Sequence, residues 1–139
     1  MTVKEYLRQY LTAYNEAQRI GSDIARLRIR YAYPSAIQYS DMPKAHNVEH
    51  DLSDYAAKVQ LLEQDLNRKM NECIRVEVEI RQSIDQLPDD RERELLRLRY
   101  IDGMTWEAIA VVMGYALRHV HRIHGNALHN MSLYVTIPK

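Results

Sequence analysis

Apolar side chains recur every three or four positions from Val3 to Tyr31. The series Val3, Leu7, Tyr10, Tyr14, Ala17, Ile20, Ile24, Leu27 and Tyr31 covers 28 residues in eight steps, 3.5 per step. That is the heptad-like repeat of a helix laying one seam against a partner. Lys4, Arg8, Arg19, Asp23 and Arg26 fall off the seam, and Gly21 is its weak point. Pro34 disfavours helical geometry in the residue before it, so this helix is expected to end near Tyr33.

Residues 34–50 follow neither a helical nor a strand period. Pro34, Ser35, Ser40, Asp41, Pro43 and Asn47 punctuate them as a loop that reverses the chain, and a loop of this length usually packs or acts. A second helix is expected from about Asp51–Ser53. Its seam is Leu52, Tyr55, Val59, Leu62, Leu66, Met70, Cys73, Val76, Ile80, Ile84 and Leu87, 35 residues in ten steps, again 3.5 per step. Two helices with one repeat and a reversing loop predict an antiparallel coiled-coil hairpin over residues 1–87. At about 1.5 Å per residue each arm is roughly 45–50 Å long. Pro88 ends the second arm, and Asp89 or Asp90 can cap a third helix.

Residues 88–139 read as a different unit. A short helix over 91–101 places Leu95, Leu98 and Ile101 on one side, and Asp102-Gly103 makes a turn. Thr105 suits the N-cap of a helix through Trp106 and Met113, and Gly114-Tyr115 is a second turn. Ala110, four residues before Gly114, suits a close crossing of two helices. A last helix runs from about Ala116 to Met131. Val120, Ile123, His124, Ala127, Leu128 and Met131 form its inward stripe at i, i+3, i+4, i+7, i+8 and i+11. A short helix, a glycine turn and a longer helix form the helix-turn-helix arrangement. The whole chain is expected to be all-α.

Composition narrows the class. With 46% hydrophobic and 27% charged residues the chain is not a disordered one. Four Gly and four Pro are too few turns for an all-β sandwich or barrel. No stretch reads as a membrane span, and no apolar signal core follows Met1, so a cytoplasmic location is expected. The single cysteine, Cys73, excludes an internal disulfide and a Cys-based zinc finger; on the seam it reads as a small buried hydrophobe. The 19 basic and 19 acidic residues cancel, but not evenly along the chain. Residues 51–87 hold 5 basic and 8 acidic side chains, whereas residues 105–139 hold 3 and 1, with His119, His121, His124 and His129 added. A surface that approaches phosphate needs few carboxylates more than it needs a high total charge.

In a helix-turn-helix the first turns of the second helix enter the major groove. Outward positions there are Leu117, Arg118, His119, His121 and Arg122, with Arg118 and Arg122 one turn apart on one face. Arginine there can grip phosphate or a guanine edge, against the alternative that both are solvated surface residues. Thr105 and Trp106, at the start of the preceding helix, complete the expected DNA-binding set.

The stretch LLRLRYIDGMTWEAIAVVMGYALRHVHRIHGNALHNM (95–131) resembles region 4 of sigma-70-type factors, which reads the promoter −35 element. Leu98-Arg99-Tyr100, the Gly103 turn, Thr105, Ile109-Ala110, Gly114, Val120 and Ala127-Leu128 carry the likeness. The runs YIDGMTWE and HRIHG, with DMP and DLSDY upstream, are closer still to phage and prophage regulators, the late-operon activators of the ArpU and RinA type. The resemblance implies a DNA-binding regulator of phage or prophage origin that acts at a promoter with host RNA polymerase. The hairpin would supply a homodimer contact or a polymerase contact. Two departures stand out: Ala116 replaces the usual Ser or Thr cap, at a cost of about 1 kcal/mol, and Ala108 replaces an acidic residue. Nothing resembles sigma region 2, so a complete sigma factor is not expected.

Other readings are weaker. His121 with His124, and His46 with His50, have helical spacing but lack the Cys or acidic partners of a four-ligand zinc site, so neither a metal nor a cofactor is expected. His124 reads as an inner packed histidine. Tyr6, Tyr10 and Tyr14 lie on or beside the seam and read as core or oligomer contacts. The chain has ten Tyr and no Phe, which suits a thin hairpin whose hydroxyls reach water. No phosphate loop, nucleophile elbow or carboxylate pair marks an enzyme. The alternatives are a DNA-packaging protein like a phage small terminase subunit, assembled as a ring, and an interaction adaptor that does not bind DNA.

Overall fold

The structure, a computed structural model, describes residues 1–32 and 48–138, the side chains of 32 and 48–51 excepted. Among the described residues five helices follow in order: α1 (Val3–Ala32), α2 (Val48–Asp85), α3 (Asp90–Tyr100), α4 (Trp106–Met113) and α5 (Leu117–Tyr134). No strand occurs among the described residues, so the fold is all-α, a long antiparallel helical hairpin followed by a helix-turn-helix. The second helix starts at Val48, ahead of the point that the hydrophobic seam indicates, because its first turn is polar and leaves no periodic mark. The rest of the loop expected at 34–50 lies outside the described residues, as does His46. No described helix is long and apolar enough to cross a membrane.

The chain forms two compact units: residues 14–71, and residues 1–13 together with 72–139. In the first, α1 and α2 run antiparallel. Lys69 Nζ lies 2.7 Å from Glu16 Oε2, Arg28 donates to Glu63 at 2.5 Å, and the rings of Tyr31 and Tyr55 stack at 4.2 Å. The expected seam is present but thin. Ala17 and Ile24 are buried, Ile20, Leu27, Val59, Leu62 and Leu66 are half-buried, and Tyr14, Tyr31, Leu52 and Met70 are exposed. Two helices cover only a narrow stripe of each other, and exposed ion pairs of this kind contribute about 0–1 kcal/mol each.

The second unit has a true core. Tyr6, Leu7, Val76, Ile80, Ile84 and Leu87 from the hairpin join Leu95, Leu96, Tyr100, Ile101, Ile109, Val120, Ile123, Ala127, Met131 and Val135. The Tyr6 hydroxyl reaches Ser83 Oγ at 2.8 Å, which satisfies both buried polar groups. In these turns of α1 the buried positions are Tyr6, Leu7 and Ala13, so the covered face is wider than a two-helix seam. Cys73 is buried, as a small apolar side chain on this seam should be.

Leu7 is fully buried in this core, whereas Leu62 is half-buried in the other unit. Leu7→Ala should therefore lower stability by about 2–4 kcal/mol, the usual range for a buried leucine, and Leu62→Ala by about 1 kcal/mol. Urea unfolding of the two variants tests this. A loss below about 1 kcal/mol for Leu7→Ala would mean that α1 does not complete the core.

Candidate nucleic-acid interface

Each of the three C-terminal helices is set by its ends. Asp89 caps α3, its Oδ1 accepting from the Arg91 backbone N–H at 2.8 Å; this bond holds the Asp89 carboxyl below the usual carboxylate range. Glu92, buried in the first turn, accepts from Asn130 Nδ2 at 2.7 and 3.0 Å and ties α3 to α5. Arg97 pairs with Asp85 at 3.0 Å and ties α3 to the end of α2. Gly103, with φ of 68°, turns the chain into α4, and the Thr105 hydroxyl caps that helix by accepting from the Ala108 N–H at 3.2 Å.

Gly114 ends α4 in the left-handed region at φ 74°, and the N–H groups of Gly114 and Tyr115 both reach the Ala110 carbonyl at 3.0 Å. The close helix crossing expected at this glycine is not its reason. A Cβ there would meet nothing within 4 Å, and the positive φ alone selects glycine.

Helix α5 follows Ala116, an N-cap position without a side-chain cap, although its backbone has the extended geometry of one. Val120, Ile123, His124, Ala127 and Met131 are buried, and Leu128 packs half-buried against the same core. The opposite face carries Leu117, Arg118, His121 and Arg122, all exposed. His119 is half-buried, with its ring edge-on to Tyr115 at 4.8 Å. Thr105 is exposed and occupied as a cap. Trp106 is half-buried in a stack: the Arg99 guanidinium lies 4.3 Å above its ring, His121 lies 5.0 Å away, and His124 meets it edge-on at 4.5 Å. Arg99 also donates to the Met104 carbonyl at 2.8 Å, closing the turn before α4. The structure thus brings Trp106 and His121 together, leaves Arg118 and Arg122 pointing outward, and adds Arg99, whose only sequence signal was its place in the LRY motif.

His124 is the inner histidine that the helical stripe requires. Its Nε2 lies 2.8 Å from the Tyr100 hydroxyl, so a neutral ring accepts the hydroxyl proton. Burial pushes its pKa down to about 4, and the positive charges of Lys4, Arg99, His121 and Arg8 act in the same direction. Burial also raises the pKa of Tyr100. No group of three or more metal-ligating side chains occurs among the described residues.

Residues 84–132, from the last turn of α2 into α5, match the family described as Sigma-70, region 4. No curated protein and no solved structure matches the chain. The matched stretch is a sigma-70 region 4-like domain, and it contains the whole helix-turn-helix of α3 to α5 but for the last turn of α5.

The buried histidine makes stability depend on pH. An unfolded histidine protonates near about 6.5 and this one, folded, only near 4, so the folded state resists the proton. Its stabilising contribution is complete above about pH 6.5 and is lost as pH falls from there toward 4. The loss should total about 2–3 kcal/mol, with at most about 1.4 kcal/mol per pH unit. Urea unfolding at pH 7 and pH 4.5 should show it, and His124→Gln should flatten the dependence; an equal slope in that variant would place the titrating group elsewhere. Separately, Ala116→Ser should stabilise the protein by about 0.5–1 kcal/mol, because the cap position already has the right backbone angles. An unchanged melting temperature would mean that solvent already satisfies those N–H groups.

Proposed function

We propose, from the sigma-70 region 4-like domain that this chain carries at residues 84–132, that the protein is a DNA-binding transcriptional regulator of phage or prophage origin, acting at a promoter with host RNA polymerase. The observation that carries the reading is the outward face of α5. Arg118 and Arg122 are exposed, one turn apart, and have no carboxylate partner among the described residues. Glu107 is the one acidic side chain from residue 105 onward. Such a face is ready for phosphate and base edges, because nothing internal neutralises it.

In this reading α5 lies in the major groove. Arg118 and Arg122 are the reading residues, and Leu117, His119 and His121 flank them. Thr105 and Trp106 approach the backbone from the start of α4. Labour divides near residue 87: the hairpin of 1–87 serves dimerisation or the polymerase contact, and residues 88–139 serve DNA. The exposed seam residues Leu52 and Met70 support a further helical partner for the hairpin in a coiled-coil manner. The protein works without a cofactor, in the cytoplasm.

Selection of sites from random duplex DNA tests the core of the proposal, and recovery of a consensus is the expected outcome. Arg118→Ala and Arg122→Ala should each weaken binding with helical content unchanged. The one that meets a guanine edge should lose about 1–3 kcal/mol of discrimination at a single base pair. Wild-type affinity and specificity in both variants would remove α5 from the interface.

A further inference from the structure

Sorting the basic side chains of the C-terminal unit by partner gives an uneven result. Arg75, Arg81, Arg91, Arg93 and Arg97 each pair with a carboxylate: Glu79, Glu77, Asp89, Asp90 and Asp85 in turn. Lys4, Arg8, Arg99, Arg118 and Arg122 have no carboxylate partner among the described residues. Two of these five belong to the DNA-reading face already proposed. The other three come from α1 and α3.

Lys4 and Arg8 are fixed in place by what lies beside them. Tyr6 and Leu7 are buried in the core, and the Leu11 side chain lies over the Gly103 turn, 3.5 Å from where a Cβ would stand. At helical spacing, Lys4, Arg8 and Leu11 share one side of α1. Both cations are exposed there, next to the turn that leads into Trp106. Arg99 sits on that same turn, bonded to the Met104 carbonyl and stacked on Trp106, whose ring then meets His121 on α5. His124, edge-on to Trp106, has its pKa lowered first by burial and then by the charges of Lys4, Arg99, His121 and Arg8. The acidic side chains of this region are Asp102 and Glu107, both exposed, and Glu5, which accepts from the Thr2 N–H at 2.7 Å.

We infer that the first turns of α1 belong to the nucleic-acid surface, with Lys4 and Arg8 contacting the phosphate backbone of the duplex that α5 reads. This rests on the DNA-binding proposal. It assigns to the hairpin's first helix a part in DNA binding besides its part in the core. Continuity with α5 through Arg99, Trp106 and His121 favours DNA over an acidic protein as the occupant. Contacts to phosphate position a protein without reading sequence, so this flank adds affinity and not specificity.

The test compares the full-length protein with Lys4→Gln/Arg8→Gln on a labelled duplex of random sequence and on the duplex recovered by selection. Each lost phosphate contact should reduce the slope of log affinity against log salt by about 0.9, or about 1.8 for the pair. Affinity at low salt should fall on both duplexes by a similar factor, with base preference unchanged. The charge-preserving swap Lys4→Arg/Arg8→Lys should retain wild-type slope and affinity. If it loses binding along with the Gln variant, the residues act through packing and the inference fails. If wild type binds and the Gln variant matches it in slope and affinity, the inference falls while the DNA-binding reading stands; an acidic partner would give this result. If wild type binds neither duplex, both fall.

Discussion

Three short helices cannot bury a core of their own, and the architecture answers that constraint. The helix-turn-helix proper spans only α3 to α5, and a segment so small leaves much of its apolar surface open. Here the open side is closed by the hairpin. Val76, Ile80 and Ile84 from α2, Leu87 just after it, and Tyr6 and Leu7 from α1 fill the same core as Leu95, Ile109, Val120 and Met131. The hairpin is therefore more than a tether for α3 to α5. Its first and last turns are part of the unit that holds them.

The same constraint explains the polar groups inside. A core assembled from five short stretches meets at helix ends, where backbone and side-chain polar groups converge, and each needs a partner. Tyr6 finds Ser83, Tyr100 finds His124, and Glu92 finds Asn130, every pair joining helices distant in sequence. Trp106 takes the remaining place between Arg99 and two of the α5 histidines, His121 and His124. This stack fixes α4 against α5 beside the outward arginines. Its dependence on a neutral His124 makes this contact between α4 and α5 sensitive to acid.

Much of this was legible in the sequence because local rules decide it. The bounds of α4 follow from Thr105 and Gly114, whose side-chain oxygen and positive φ set a start and a stop without help from the rest of the chain. The inward stripe of α5, including His124, follows from helical period alone. Period does not say what covers a face. Tyr14 and Met70 lie on perfect seams and are exposed, while Tyr6 and Ala13 lie beside the seam and are buried. The difference is the presence of α3 to α5 at one place and a single partner helix at the other. Lys4 and Arg8 were hidden for the same reason. Off-seam cations on a long helix look like any solvated charge until the fold brings their helix, through Leu11, against the Gly103 turn that leads into Trp106.

A chain of zero net charge is an unpromising DNA binder only if charge is summed. Phosphate is sensed through a screening length of about 8–10 Å at moderate salt, so the local set decides. Acidic residues concentrate in the second helix, where several are engaged by arginines one turn away, as in Arg75–Glu79, Arg81–Glu77 and Arg68–Asp65. Such pairs are close to neutral beyond a screening length, wherever they sit. What remains in the C-terminal unit, among the described residues, is the cations that no carboxylate answers, on α1, α3 and α5. Moving the same residues into an even distribution would preserve net charge, helical period and core, and would erase this surface. In the proposed role, it is the charge pattern that the helices impose, and not the composition, that suits a polyanion.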